Sequence, residues 1–205
     1  MGIFFLLPML TPCHNRCIFI HDDTVSVGET NMVKQTFINL NSAKKQKIEQ
    51  VMLDEFSNYA LNQANVARIV KEAGIARGVF YTYFDDLEDA YLYVYNKAML
   101  QIHDPIKMDK PEFDADLFYK MAYELVCNIE KSKYKKLLKK HMLVNESLLI
   151  HNFQLENQKA IHMDTKTWSA MVLTHETIKL ALFDLEHKEN YFRKLKQGLD
   201  CLRRV

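Results

Sequence analysis

Glycine and proline are scarce, with five and four in 205 residues. Sandwiches and barrels need a turn every ~8–12 residues and consume both types, so an all-β architecture is a poor fit. Cysteine is scarce too: four residues are too few and too scattered for a disulfide framework in a chain of this length, and the usage suits a reducing compartment. Cys13 and Cys17, with His14 and His21 nearby, look like half of a zinc site. No second C-x2-C or H-x3-5-H unit follows, so no metal is expected. Charge of one sign is missing as well: 27 basic residues face 26 acidic ones, a formal net charge of +1. An anionic partner must therefore be met by a local patch rather than a global field. No apolar run reaches the ~18 residues of a membrane span, so a cytoplasmic chain with no membrane partner is expected. The eight histidines are dispersed, and no H-E-x-x-H, G-x-S-x-G, Walker A or dinucleotide fingerprint occurs. The expectation is a protein that is not an enzyme and carries no cofactor.

What is present is helical. Apolar residues make up 48% and charged residues 26% of the chain, near the globular average. Residues 1–31 show neither helical nor strand periodicity and lack the basic n-region of a secretory signal. They read as an unstructured or non-native leader, with a start at Met32. From Asn41 the signal is sustained. Asn41 or Ser42 can cap a helix whose stripe is Ile48, Val51, Met52, Phe56 and Tyr59, over about 42–59. Val66, Ile69, Val70 and Ala73 form a second stripe. Gly74 follows, where a left-handed residue ends a helix at little cost, and a short third helix runs from Ala76 to Tyr83. Two short helices joined by a three- to four-residue turn containing Gly form a helix-turn-helix.

The run Ile69-Val70-Lys71-Glu72-Ala73-Gly74-Ile75-Ala76-Arg77-Gly78-Val79-Phe80-Tyr81-Thr82-Tyr83-Phe84-Asp85-Asp86-Leu87-Glu88-Asp89-Ala90 resembles the tetracycline-repressor (TetR) family of bacterial transcription regulators. The specific part is Ala-Gly followed by Tyr-x-Tyr-Phe. The resemblance covers about residues 44–95, with Phe56 of the preceding helix in register. It implies an all-α fold: an N-terminal three-helix DNA-binding domain over 32–92, and a larger helical ligand-binding and dimerisation domain over 93–205. It further implies a homodimer on a palindromic double-stranded DNA operator, controlled by a small-molecule effector, and usually a repressor.

Residue chemistry agrees with that role. Phe80 and Phe84 suit the core of the small unit, against Phe56, Ile69 and Ile48. Arg77 stands in the first turn of the second motif helix, the end that meets base edges in the major groove, where a guanidinium can pair with guanine or phosphate. Gly78 permits close approach of the backbone, and Val79 can touch a thymine methyl. Tyr81, Thr82 and Tyr83 offer hydroxyls that fix register on phosphates, although Tyr83 reads equally well as core. Lys44 and Lys45 crowd the first turns of their helix, against its dipole, as a solvated face or a nearby phosphate backbone would explain. Asn62 or Asn65 can cap the first motif helix, and Asn65 can contact DNA. From Met32 to Tyr83 seven basic residues face four acidic ones, a net +3. Three departures from the family pattern support an alternative, a helical small-molecule-binding or interaction protein that has lost DNA affinity. Leu87 stands where a lysine is usual, Ala64 where a threonine is common, and Asp85, Asp86, Glu88 and Asp89 crowd the space beyond the recognition helix.

The remaining helices are expected at about 86–103, 112–130, 132–145, 146–162, 165–187 and 189–203. Lys131 to His141 holds six lysines around a Tyr134, Leu137, Leu138, His141 stripe, the pattern of a solvated amphipathic helix. The last two helices carry long apolar stripes, Leu182 and Leu195 among them, and are expected to form the dimer. A ligand pocket in this half would be apolar with a few polar groups. Its candidates by residue type are Tyr119, Tyr123, His141, Phe153, Trp168, Met171 and His175.

Overall fold

The computed structural model describes residues 20–21, 24–25, 33–102, 113–149 and 163–204. The expected leader lies almost wholly outside the described residues. Within it Ile20–His21 (β1) pairs antiparallel with Thr24–Val25 (β2), a two-residue ladder that the missing periodicity did not foretell. The rest of the described chain is helical. Its helices are α1 (Gln35–Ile38), α2 (Ser42–Asn58), α3 (Val66–Ala73), α4 (Arg77–Tyr83), α5 (Leu87–Ile102), α6 (Ala115–Lys131), α7 (Lys135–Lys140), α8 (Thr165–Phe183) and α9 (Lys188–Arg204).

Helix starts follow side-chain chemistry. Asn41, Asn65, Asp114 and Asp164 each accept from a backbone N–H of the turn they open, pairing donors that have no partner within the helix. Asn41 rather than Ser42 caps α2, and Asn65 rather than Asn62 caps α3. Gly74 ends α3 in the left-handed region (φ 70°), with Ile75 N–H reaching back to Val70 O at 3.0 Å. A Cβ-bearing residue would be strained there.

Ile48, Met52, Phe56, Ile69, Phe80 and Phe84 are all fully buried and make the core of the first unit. α1 adds Phe37, whose ring meets Phe84 at 4.9 Å. α5 runs straight through the expected 92/93 boundary, and its apolar residues join this core to one built by α6, α8 and α9. There Phe118, Ala122, Leu125 and Val126 face Ala170, Ile178, Leu182, Phe192, Leu195 and Leu199. α2 also leans on α7, where Leu137 and Leu138 are buried between exposed Lys136 and half-buried Lys139.

After α7 the chain widens into a π-turn, His141–Asn145, then a 3-10 turn, Glu146–Leu148. The expected continuous helix to 145 ends early for this reason. The helix expected at 146–162 lies mostly outside the described residues. Leu182 and Leu195 are 1% and 2% exposed. They are core residues of their own chain rather than the expected dimer contacts, because the inward stripes of α8 and α9 pack on each other and on α6.

Candidate nucleic-acid interface

α4 divides into two faces. Phe80, Tyr83 and Phe84 point inward at i, i+3, i+4, while Arg77, Gly78, Tyr81 and Thr82 are exposed. Arg77 donates from Nη2 to the Tyr81 hydroxyl at 3.5 Å, and its guanidinium stands 5.9 Å over that ring. The two side chains form one outward pair at i, i+4 spacing. A Cβ at Gly78 would meet nothing within 4 Å, so no contact within the described chain demands glycine there. Val79 is half-buried against the core, and Thr82 Oγ1 donates to Val79 O at 2.7 Å, which leaves its lone pairs outward. Tyr83 is a correction to the contact set: it is 5% exposed and its ring lies 5.4 Å from Phe37. Packing by α1 takes it out of the surface.

Two devices hold α4 in place, and neither has a local sequence signal. The first is a clamp from α1 on the C-terminal carbonyls of α4, which have no partner within the helix. Lys34 donates from its backbone to Tyr83 O at 2.9 Å and from Nζ to Tyr81 O at 2.8 Å, and Thr36 donates to Thr82 O. The second lies under α3. Glu55 of α2 is 7% exposed and accepts from Arg68 Nε at 3.0 Å, from Arg68 Nη2 at 2.6 Å and from Asn65 N–H at 2.8 Å. The guanidinium also donates to Gln63 O at 2.7 Å and lies 4.0 Å over the Tyr59 ring. A buried carboxylate needs such partners, so Arg68 is engaged within the fold.

The remaining cations of this unit face outward. Lys44, Lys47 and Lys71 are exposed, and Lys45 is half-buried with its Nζ 5.6 Å over the Phe37 ring. Lys47 Nζ lies 3.5 Å from where a Gly74 Cβ would sit, beside the C-terminus of α3, whose dipole favours a cation. Asn65 is exposed, but its Oδ1 is engaged by Ala67 N–H at 2.7 Å. Three of the four acids beyond α4 are turned to internal use. Asp85 pairs with Lys34 at 2.6 Å. Asp86 accepts Asp89 N–H at 2.8 Å while Asp89, buried, accepts Asp85 N–H at 3.2 Å, a reciprocal cap at the positive end of α5.

The candidates for an effector pocket are dispersed. Tyr119 and Tyr123 lie on α6 against Phe192 of α9, at 5.9 and 4.9 Å. Trp168 is 46% exposed, Met171 is buried, and Phe153 lies outside the described residues. His141 and His175 both lie by Glu146. His141 accepts or donates at Nδ1 with the Tyr91 hydroxyl at 2.8 Å, and the Tyr95 ring lies on it at 4.0 Å. His175 Nε2 meets Glu146 at 2.8 Å. Burial lowers the His141 pKa to about 4, against the pull of Glu146, and burial raises that of Tyr91. The described candidates thus come from α6, from the turn after α7 and from α8.

No family model and no curated protein matches the chain. Among solved structures it is similar to a TetR family transcriptional regulator from Chloroflexus aurantiacus J-10-FL, over 85% of this chain and 98% of that one, at 20% identity and a TM-score of 0.49. Among the described residues no helix is long and apolar enough to cross a membrane, and no cluster of side chains suits a metal ion.

Proposed function

We propose that the chain is a DNA-binding transcriptional regulator that reads a palindromic operator as a homodimer, with α4 as its recognition helix. The observation that carries this is the two-faced character of α4. Arg77, Gly78 and Tyr81 stand free on its outer side, while Phe80, Tyr83 and Phe84 anchor the inner one. Arg77 and Gly78 open the helix, the end that enters the major groove. Lys44, Lys45 and Lys71 supply cations for flanking phosphates. Three of the four acids that favoured a scaffold without DNA affinity, Asp85, Asp86 and Asp89, are engaged in caps and an ion pair. Self-association is supported by α8, which exposes Trp168, Val172, Leu173, Leu180 and Phe183, the last at 66%. A run of apolar side chains on one helix suits an isologous interface. The repressor sense, and control by a small-molecule effector, follow the family resemblance.

The test is fluorescence anisotropy of the full chain with duplexes from DNA flanking its gene, at two salt concentrations. Saturable binding to one duplex over scrambled DNA, weakening as salt rises by about 0.9 decade per decade for each phosphate contact, is the expected result. Equal affinity for every duplex, or none, refutes the reading.

A further inference from the structure

We propose that the space between α2 and α5 is a binding site for a small hydroxylated anion. The two helices flank a cleft of about 620 Å³, and the turn between α6 and α7 closes one end. Gln46, Lys47 and Glu49 of α2 face Tyr93, Lys97 and Gln101 of α5 across it, with Lys133 and Tyr134 at the closed end. A second cleft of about 350 Å³ adjoins it, shares Gln46, Glu49, Tyr93, Lys97 and Gln101, and adds Lys45 and Asn96. Together they fall in the size range of small-molecule sites, ~300–1,000 Å³. The divide between them is polar: Glu49 accepts from the Tyr93 hydroxyl and from Lys97 Nζ, the latter at 2.6 Å.

The chemistry of the lining selects the ligand. Lys45, Lys47, Lys97 and Lys133 face a single carboxylate, Glu49. Lys133 has no carboxylate partner among the described residues, and Lys47, whose ammonium reaches towards the C-terminus of α3, has none either, so the lining carries more positive than negative charge. Asn96 is 7% exposed, and its Oδ1 is buried with no hydrogen-bond partner among the described residues. Buried acceptors are normally paired, and this one calls for a donor. An anion that carries a hydroxyl answers both needs, and the amides of Gln46 and Gln101 stand beside it. None of the residues expected from the sequence to hold an effector lines this space.

The position also gives the site a lever. Glu49 ties α2 to α5 through Lys97, and α2 carries both α3 and the lysines nearest the DNA-facing side. An anion on Lys97 competes with Glu49 and lowers the positive potential along α2. Ligand binding is therefore expected to weaken DNA binding. That regulatory half rests on the function proposed above, whereas the site itself does not.

Isothermal titration calorimetry of the full chain tests the site, with citrate, tricarballylate (citrate without its hydroxyl) and glucose 6-phosphate as probes. The expected result is saturable binding of citrate or glucose 6-phosphate at one site per chain, which tells carboxylate from phosphate. Lys133→Gln, at an exposed position, should weaken it at least about tenfold, as for one charge-assisted hydrogen bond. Asn96→Leu, or Gln46→Leu if that variant melts early, should narrow the preference for citrate over tricarballylate. Lys120→Gln, at an exposed position of α6 outside both clefts, should leave the binding of these probes unchanged. No saturable binding by either anion overturns the proposal. So does equal weakening by Lys120→Gln and Lys133→Gln, which marks attraction to surface charge in general. Anisotropy with saturating ligand decides the lever: DNA affinity unmoved overturns the regulatory half. Absence of DNA binding overturns the proposed function while the calorimetry still decides the site.

Discussion

Arg68 lies on the first helix of a helix-turn-helix and, by type, is an obvious phosphate ligand; its geometry assigns it to the fold. Arg68→Ala removes every side-chain donor to Glu55 and leaves that carboxylate only the Asn65 N–H. Breaking a buried ion pair from one side costs about 3–5 kcal/mol. The Glu55 side chain is 6% exposed but the Arg68 side chain is 40% exposed, so water reaches the vacated space and the low end of that range, about 3 kcal/mol, is expected. For a chain of this size each kcal/mol moves the melting temperature by ~2–4 °C, so the loss should be roughly 6–12 °C. The double variant Glu55→Leu/Arg68→Leu should recover part of it, since replacing both partners by apolar groups leaves no uncompensated charge. The assay is thermal melting with a salt titration of DNA binding alongside. If Arg68→Ala melts like the wild type yet lowers the salt slope by ~1, the residue is a phosphate contact and the structural assignment is refuted.

Arg77→Ala should cost ~1–3 kcal/mol of operator binding with an unchanged melt if the guanidinium reads a guanine, whereas Phe80→Ala, at a fully buried position, should destabilise the fold by ~3–5 kcal/mol; anisotropy and melts on the same samples separate the two. His141 is held neutral, with a pKa of about 4 against the ordinary 6.5, so between those values the unfolded chain binds the extra proton and stability falls as pH drops from 6.5 towards 4. The displacement amounts to about 3 kcal/mol, and urea midpoints across that window should flatten in His141→Gln. Phe183→Glu should convert a dimer to folded monomers in sedimentation, while Leu182→Glu should unfold the chain; a wild-type monomer at micromolar concentration contradicts the dimer.

Local rules made the first unit legible. Gly74 after the Val66–Ala73 stripe marked a helix end, and three- and four-residue steps placed Phe56, Phe80 and Phe84 inside. The same rule was available for Tyr83, which stands at i+3 from Phe80 and one residue before Phe84. The Tyr-x-Tyr-Phe likeness drew it towards the contact set, and Phe37 buries it. What was not legible is what joins distant residues. The partners of Lys34 and Thr36 lie 46 or more residues away, and Glu55 with Arg68 has no spacing that distinguishes a lock from two surface charges. The pocket candidates rested on residue type alone. Aromatic and methionine side chains mark an interior, but several helices share it, and chain order does not say which pairs meet.

The tethers bear on how a signal could cross the molecule. The first unit is braced at three places on different elements. Lys34 and Thr36 hold the end of α4, Glu49 holds α2 to α5, and Asn145 Oδ1 accepts Leu61 N–H at 2.9 Å in the loop before α3. The last belongs to the π-turn after α7, which also carries His141 against Tyr91 and leads into Glu146 against His175. A π-turn has hydrogen bonds of another register within reach, and such turns gather where function needs a change of register. Thr174 Oγ1 is buried without a partner among the described residues, so the arrangement around the turn leaves a polar group that a small rearrangement can satisfy. Coupling free energies of ~1–3 kcal/mol suffice for allosteric control, the scale of one or two hydrogen bonds to such a group. The tethers on α2 and on the loop before α3 thus join the large half to the first unit at two separate points, one through Glu49 and one through Asn145.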